Sequence, residues 1–137
     1  FLQNIITDLI LGFGVKEIFK EYCLYIEKKY NARPGFITQN LPYLLSKLKN
    51  WDIEKVVICS SFNKIGYLVS PDLETAIASI NSNDNTKYQL MAMSTMASGA
   101  ISAKVAYDFI NVHNLQSVVF GASSKQNIDE TVSLINL

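Results

Sequence analysis

Residues 117–128 decide how this chain folds, and they read Ser-Val-Val-Phe-Gly-Ala-Ser-Ser-Lys-Gln-Asn-Ile. A short apolar run ends in Gly121 and two serines, Ser123 and Ser124, and a segment with helical spacing of apolar residues follows. This order places free backbone N–H groups and hydroxyls at a helix N-terminus, an arrangement that suits a phosphate group. A diverged copy lies upstream, because residues 52–61 align with residues 114–123. The chain therefore repeats a strand-then-helix unit.

The same pattern divides the whole chain into five consecutive strand–helix units. Residues 33–35 (Arg-Pro-Gly) end one helix, and Asn40 is a candidate N-cap for the next, with Pro42 in its first turn. The predicted strands cover residues 8–14, 36–39, 56–60, 90–94 and 118–120. Four predicted helices cover residues 15–30, 70–80, 103–112 and 126–135, and a fifth starts at the Asn40 cap and ends near residues 52–53.

Strands that alternate with helices and are apolar on both faces are typical of a parallel sheet covered by helices. Two α/β architectures fit this pattern. One is a five-stranded, doubly wound sheet of the flavodoxin-like kind. The other is the C-terminal five units of a (β/α)8 or TIM barrel that lacks its first three units. Residues 1–137 form a single α/β domain in either case, and the initial Phe1 in place of methionine favours a fragment of a longer barrel.

Composition restricts the partners of the chain. It has 137 residues, 49% of them hydrophobic, and 12 basic residues balance 12 acidic ones. Because nucleic-acid binding relies on clustered Lys and Arg, we expect no nucleic-acid partner. We expect no membrane span either, since no apolar run approaches about 20 residues. Cys23 and Cys59 are predicted to be reduced, packed thiols of a cytoplasmic protein.

Several short segments resemble, in order, the C-terminal units of the aldo-keto reductase-like barrels. Residues 36–40 (Phe-Ile-Thr-Gln-Asn) resemble the end of that family's fifth strand, and residues 60–64 lie where it carries a segment ending Asn-Arg. Residues 92–101 resemble its seventh-strand segment, and residues 117–128 resemble its eighth strand and the loop that binds the cofactor phosphate. The resemblance implies a (β/α)8 barrel and an oxidoreductase that uses NADP or NAD.

The resemblance also implies a cofactor site at the last two strands. The family's basic residues are replaced there by Ser123, Ser124 and Asn127, and its fourth-strand histidine, expected near residues 11–13, is missing. The catalytic residues stay unknown. The residues expected to bind the cofactor are Asn40, Ser94, Gly121, Ser123, Ser124 and Asn127, and those expected to bind the substrate are Asn63 and Lys64.

Two other functions fit the sequence. Lys64 follows a central strand, so a buried Lys64 amine could form a Schiff base in an aldolase, lyase or isomerase that acts on a phosphorylated carbonyl compound. Alternatively, the chain is a non-catalytic ligand-binding or assembly barrel. In each case we expect a small phosphorylated or polar ligand, and a homo-oligomer or an association with the missing barrel half. The single histidine, His113, is predicted to be a protonated cap at a helix C-terminus, and no metal site is predicted.

Overall fold

The parallel sheet predicted from the strand–helix pattern is present. A computed structural model describes residues 1–136 as an α/β fold with four parallel strands and six α-helices. The strands are β1 (Gly35–Thr38), β2 (Val56–Ser61), β3 (Tyr88–Met93) and β4 (Ser117–Val118). The helices are α1 (Asn4–Phe13), α2 (Lys16–Tyr30), α3 (Leu41–Asn50), α4 (Leu73–Asn81), α5 (Ala103–Ile110) and α6 (Lys125–Leu134), with a 3-10 turn at Ala97–Gly99.

The strands pair in the order in which the chain forms them. The sheet runs β1-β2-β3-β4, and every pair is parallel. Leu2 extends the sheet beyond β1, because its N–H donates to the Gly35 carbonyl at 2.8 Å and its carbonyl accepts from the Ile37 N–H at 2.8 Å. A flavodoxin-like sheet reverses its strand order after the first pair. The described strands contain no such reversal.

The first predicted strand, residues 8–14, is wrong. This segment belongs to helix α1, which ends at Gly14 in the left-handed conformation with φ 69°. The apolar run misled the prediction because α1 is apolar on both sides: Leu11 is buried against the sheet, whereas Ile5, Leu9 and Phe13 are 73%, 55% and 75% exposed. The strand of the first unit is instead the single bridge at Leu2.

No helix within residues 1–136 has both the length and the apolar character that crossing a membrane requires.

Polar side chains begin the helices that come after the strands. Asn40 starts α3 by accepting a hydrogen bond from the Tyr43 N–H at 3.2 Å, which confirms its predicted capping role. Asp72 starts α4 in the same way, since its carboxylate accepts from the Thr75 N–H at 2.8 Å. Ser102 and Ser124 cap α5 and α6. These caps set the point at which each chain segment turns back along the sheet.

One face of the sheet carries the core. Successive side chains of a strand point to opposite faces, and the residues in register on the covered face are Phe36, Ile58 and Leu90, each at most 1% exposed. Helix side chains such as Leu44 and Tyr107 belong to the same buried cluster. Helical packing on this face therefore supplies the main hydrophobic stabilisation of the fold.

The other face of the sheet is mostly apolar and half open, although Ser61, Gln89 and Ser117 also lie on it. Ile37, Val57, Met91 and Met93 point to this face, and each is only partly buried. None of these four side chains belongs to the core that the helices build. Cys59, in the middle of β2, points to the same face and lies outside that core too, but it is only 3% exposed. We call these five residues the open face; the described helices pack on the opposite side of the sheet.

Candidate functional site

The carboxyl ends of the parallel strands bring together polar side chains from distant parts of the chain. Thr38 ends β1, Ser61 ends β2, and Ser94 follows β3 directly. The Ser61 hydroxyl donates to the Ser94 hydroxyl oxygen at 3.4 Å. Ligands of parallel α/β proteins bind at this edge, and two separate groups of cavities occur there.

The first group lies between the loops that follow β3 and β4, and we call it the β4 crevice. One cavity of about 330 Å³ is lined by Ser94, Met96, Ser98, Gly99, Phe120 and Gly121. A neighbouring cavity of about 470 Å³ shares Met96 and Gly121 and adds Ser123, Asn127, Glu130 and Thr131. The structure thus brings together four of the predicted cofactor residues, namely Ser94, Gly121, Ser123 and Asn127.

Backbone N–H groups are the main hydrogen-bond donors of the β4 crevice. From residue 120 to residue 126, no backbone N–H donates to another group within the described residues. Gly121 lies where the two cavities meet, and a Cβ atom built on it would contact nothing within 4 Å. Seven successive unpaired donors next to a helix N-terminus create a positive potential without any positively charged side chain.

Side chains modify this potential at the rim. The Ser124 hydroxyl oxygen caps α6, because it accepts a hydrogen bond from the Asn127 N–H at 3.2 Å. Ser123 accepts from the Asn127 side-chain amide at 3.3 Å, so its own hydroxyl proton stays available. Lys125 forms an ion pair with Asp129 on the same helix, and Glu130 places a negative charge in the larger cavity. An anion is therefore favoured near Gly121 and disfavoured near Glu130.

The loop after β3 adopts a backbone conformation that non-glycine residues rarely take. Ser94, Ala97 and Ser98 have φ angles of 55°, 49° and 56°, all in the left-handed region. Each such residue costs on the order of 1 kcal/mol or more, and such costs concentrate at functional sites. This loop places Ser98 and Gly99 in the lining of the smaller cavity, together with Gly121.

The predicted substrate residues, Asn63 and Lys64, lie outside both cavities of the β4 crevice. Asn63 is fully buried, and its side-chain amide donates to the carbonyls of Tyr67 and Ser94, at 2.8 Å and 3.2 Å. It also accepts from the Tyr67 N–H at 2.8 Å, so its polar atoms join two loops of the fold. Lys64 is exposed, which removes the desolvation that activates a Schiff-base lysine.

Asn40 lies apart from the other predicted cofactor residues. It stands beside a third cavity, of about 320 Å³, at the end of β1, and strand β2 separates it from Ser94. Asp8, Gln39, Tyr43 and Ser70 line the same cavity, which we call the Asp8 cavity. The predicted cofactor set is thus divided between two places at the same edge of the sheet.

Sequence reasoning missed Asp8. Its carboxylate accepts hydrogen bonds from the hydroxyl of Thr38, which is fully buried, and from the Gln39 N–H at 3.0 Å. The Thr38 hydroxyl in turn accepts from the Asn40 N–H at 2.9 Å. A helical interpretation of residues 4–13 is the signal that could have found Asp8, because it places Asp8 next to the buried residues Thr7 and Leu11 on one side of α1.

The titratable groups away from these cavities behave as core residues. Burial raises the pKa of the Cys23 and Cys59 thiols to about 11 in each case, and both cysteines are free. His113 differs from its prediction: its ring packs against Phe62 and Phe109, and desolvation lowers its pKa instead of the helix dipole raising it. The histidine expected near residues 11–13 would fall within helix α1 and not at a strand end.

Within residues 1–136, no three His, Cys, Asp or Glu side chains are grouped closely enough to hold a metal ion. No protein-family model, curated protein or solved structure matches the chain.

Proposed function

We propose that this chain forms the last five units of an aldo-keto reductase-like (β/α)8 barrel, and that its β4 crevice binds a phosphate group of a nicotinamide dinucleotide. Three features support the barrel. The strands pair in chain order, Leu2 supplies a fifth strand position, and most side chains on the uncovered side of the sheet are apolar. In a closed barrel the helices form the outer ring and the inward side chains fill the interior. Ile37, Cys59 and Met91, in register on the open face, suit that interior.

The observation that carries the ligand assignment is the run of unpaired backbone N–H groups from residue 120 to residue 126 beside the two joined cavities. Phosphate sites of (β/α)8 barrels commonly use the loops after the last two strands. Here those loops contribute Ser94 and Ser98 on one side, and Gly121 and Ser123 on the other. The backbone N–H groups and the serine hydroxyls of these loops donate hydrogen bonds. Among the residues that line the two cavities, Glu130 alone is acidic.

The crevice would hold a dinucleotide through backbone donors in place of basic side chains. A nicotinamide group supplies hydride transfer when it is bound. This chain's own contribution is to bind and orient: Gly121 allows a phosphate to approach the backbone, and the Ser123 hydroxyl donates to it. Because charge-assisted bonds from Arg are absent from these positions, we expect binding to be weak, with a dissociation constant nearer millimolar than micromolar.

Isothermal titration of the chain with NADPH, NADH and inorganic phosphate tests this function. Gly121→Asp is the decisive variant and Gly121→Ala its matched control, because a Cβ atom fits at this position without a contact. A carboxylate about 5 Å from a phosphate at an effective dielectric constant of about 20 costs about 3 kcal/mol before screening by salt. We expect Gly121→Asp to weaken NADPH binding at least about tenfold and Gly121→Ala to leave it unchanged.

The outcome that contradicts the proposal is equally specific. No heat of binding with any of the three ligands at millimolar concentration refutes the anion site, and binding of phosphate without NADPH or NADH refutes the dinucleotide. Trp51 is not a suitable reporter for this experiment, because it packs against Phe19 at the end of α3, away from the β4 crevice. The lyase or isomerase role of Lys64 and the non-catalytic barrel stay predictions that no contact in the structure favours.

A further inference from the structure

We propose that the Asp8 cavity is a second binding site, and that it recognises the hydroxyl groups of a sugar or a similar polyol. This site does not depend on the dinucleotide proposed for the β4 crevice. Strands β2 and β3 lie between β1 and β4, so the two sites are about 14 Å apart at the usual spacing of neighbouring strands. A ligand at one site can therefore bind without occupying the other.

Two hydrogen bonds hold the carboxylate of Asp8 in place, and its oxygens can accept further hydrogen bonds. One oxygen accepts from the Thr38 hydroxyl and the other accepts from the Gln39 N–H. A carboxylate offers about four lone-pair positions, so roughly two remain for a ligand. No Lys or Arg within residues 1–136 forms an ion pair with Asp8. The negative charge is thus fixed at the wall of a cavity and left uncompensated.

The other groups around the cavity select among possible ligands. The Asn40 side chain spends its oxygen on the cap of α3, so its NH₂ group is left to donate. Tyr43 and Ser70 add hydroxyl groups that both donate and accept. An anion would be repelled by Asp8, and an ammonium group could not accept from Asn40. A hydroxyl group donates to Asp8 and accepts from Asn40, and it therefore satisfies both residues.

A purely structural role of Asp8 accounts for only part of this arrangement. Its two hydrogen bonds join α1 to the end of β1, and that role needs neither a cavity nor an amide donor on its far side. The cavity has a volume of about 320 Å³, enough for a monosaccharide-sized group.

The test is a titration of the 15N-labelled chain with D-ribose, D-glucose and methylammonium, followed by the backbone amide spectrum. We expect saturable shifts at Gly12, Gln39 and Asn40 with a sugar, and none with methylammonium. Asp8→Asn keeps one acceptor oxygen for Thr38 but loses the charge, and we expect it to weaken sugar binding about tenfold. Asp129→Asn, at an exposed carboxylate on α6, is the matched control and should bind as the unaltered chain does.

The remaining outcomes decide against the proposal. Absence of saturable shifts with both sugars overturns it, as does methylammonium binding in preference to them, or equal sugar affinity in the unaltered chain and Asp8→Asn. Should Asp8→Asn fail to fold, Tyr43→Phe and Ser70→Ala remove hydroxyl groups from the cavity without touching the Asp8 hydrogen bonds. A sugar affinity unchanged in both of these variants also overturns the proposal.

Discussion

Neighbouring valines in β2 test the one-sided packing of the sheet. Val56 points to the helices and is 0% exposed, whereas Val57 points to the open face and is only partly buried. Substituting each by Ala removes the same two methyl groups from the same strand, so the loss of β-propensity cancels between the two variants. The difference in the free energy of unfolding then reports the burial of each side chain.

The expected magnitudes follow from what surrounds each side chain. At Val56, the lost transfer free energy is about 1.6 kcal/mol, and the unfilled cavity raises the total to about 2.5 kcal/mol. At Val57, solvent already reaches the side chain and no closed cavity forms, so we expect a loss of about 1 kcal/mol or less. In urea, this difference lowers the unfolding midpoint of Val56→Ala by about 1 M relative to Val57→Ala. Equal midpoints for the two variants would refute the one-sided sheet.

Three further predictions concern single side chains. Desolvation lowers the pKa of folded His113, so the unfolded chain binds more protons than the folded chain below about pH 6.5. The free energy of unfolding should therefore fall as the pH decreases through that value. The variant His113→Gln should abolish this pH dependence. With pKa values of about 11, Cys23 and Cys59 should react with Ellman's reagent at pH 8 only after unfolding in urea; rapid labelling of the native chain would contradict their burial. Ser124→Ala removes the acceptor of the Asn127 N–H and should cost about 1 kcal/mol in thermal or urea unfolding, yet leave NADPH affinity unchanged; a parallel loss of affinity would make Ser124 a ligand residue as well as a cap.

The repeating strand–helix pattern predicts much of the fold because its signals are local. The capping role of Asn40 and the limits of α2 depend on side chains within a few residues, and both predictions are confirmed to within a residue. The parallel α/β class follows from the same alternation and is also confirmed. Local periodicity predicted residues 8–14 wrongly, because α1 carries apolar residues on its exposed side as well as on its buried side. A continuous apolar run of this kind is also typical of a buried strand.

Sequence reasoning could not place the candidate sites for a different physical reason. Whether Asn40 lies beside Ser94 depends on which strands pair, and strand order is a property of the whole sheet. Asp8 contacts Thr38 only because α1 lies against the end of β1, a contact between residues 30 positions apart. The grouping of Ser94 with Gly121 was predictable because their loops follow consecutive strands, which pair most often with each other.

The most direct test of the β4 crevice as a phosphate-binding site is the backbone amide spectrum of the chain during titration with NADPH. We expect saturable shifts concentrated at residues 120–126 and at Ser98 and Gly99, retained in Gly121→Ala and requiring at least about tenfold more NADPH in Gly121→Asp. Shifts that arise elsewhere on the molecule, or a spectrum that NADPH leaves unchanged at millimolar concentration, would contradict the assignment of the β4 crevice as a phosphate-binding site.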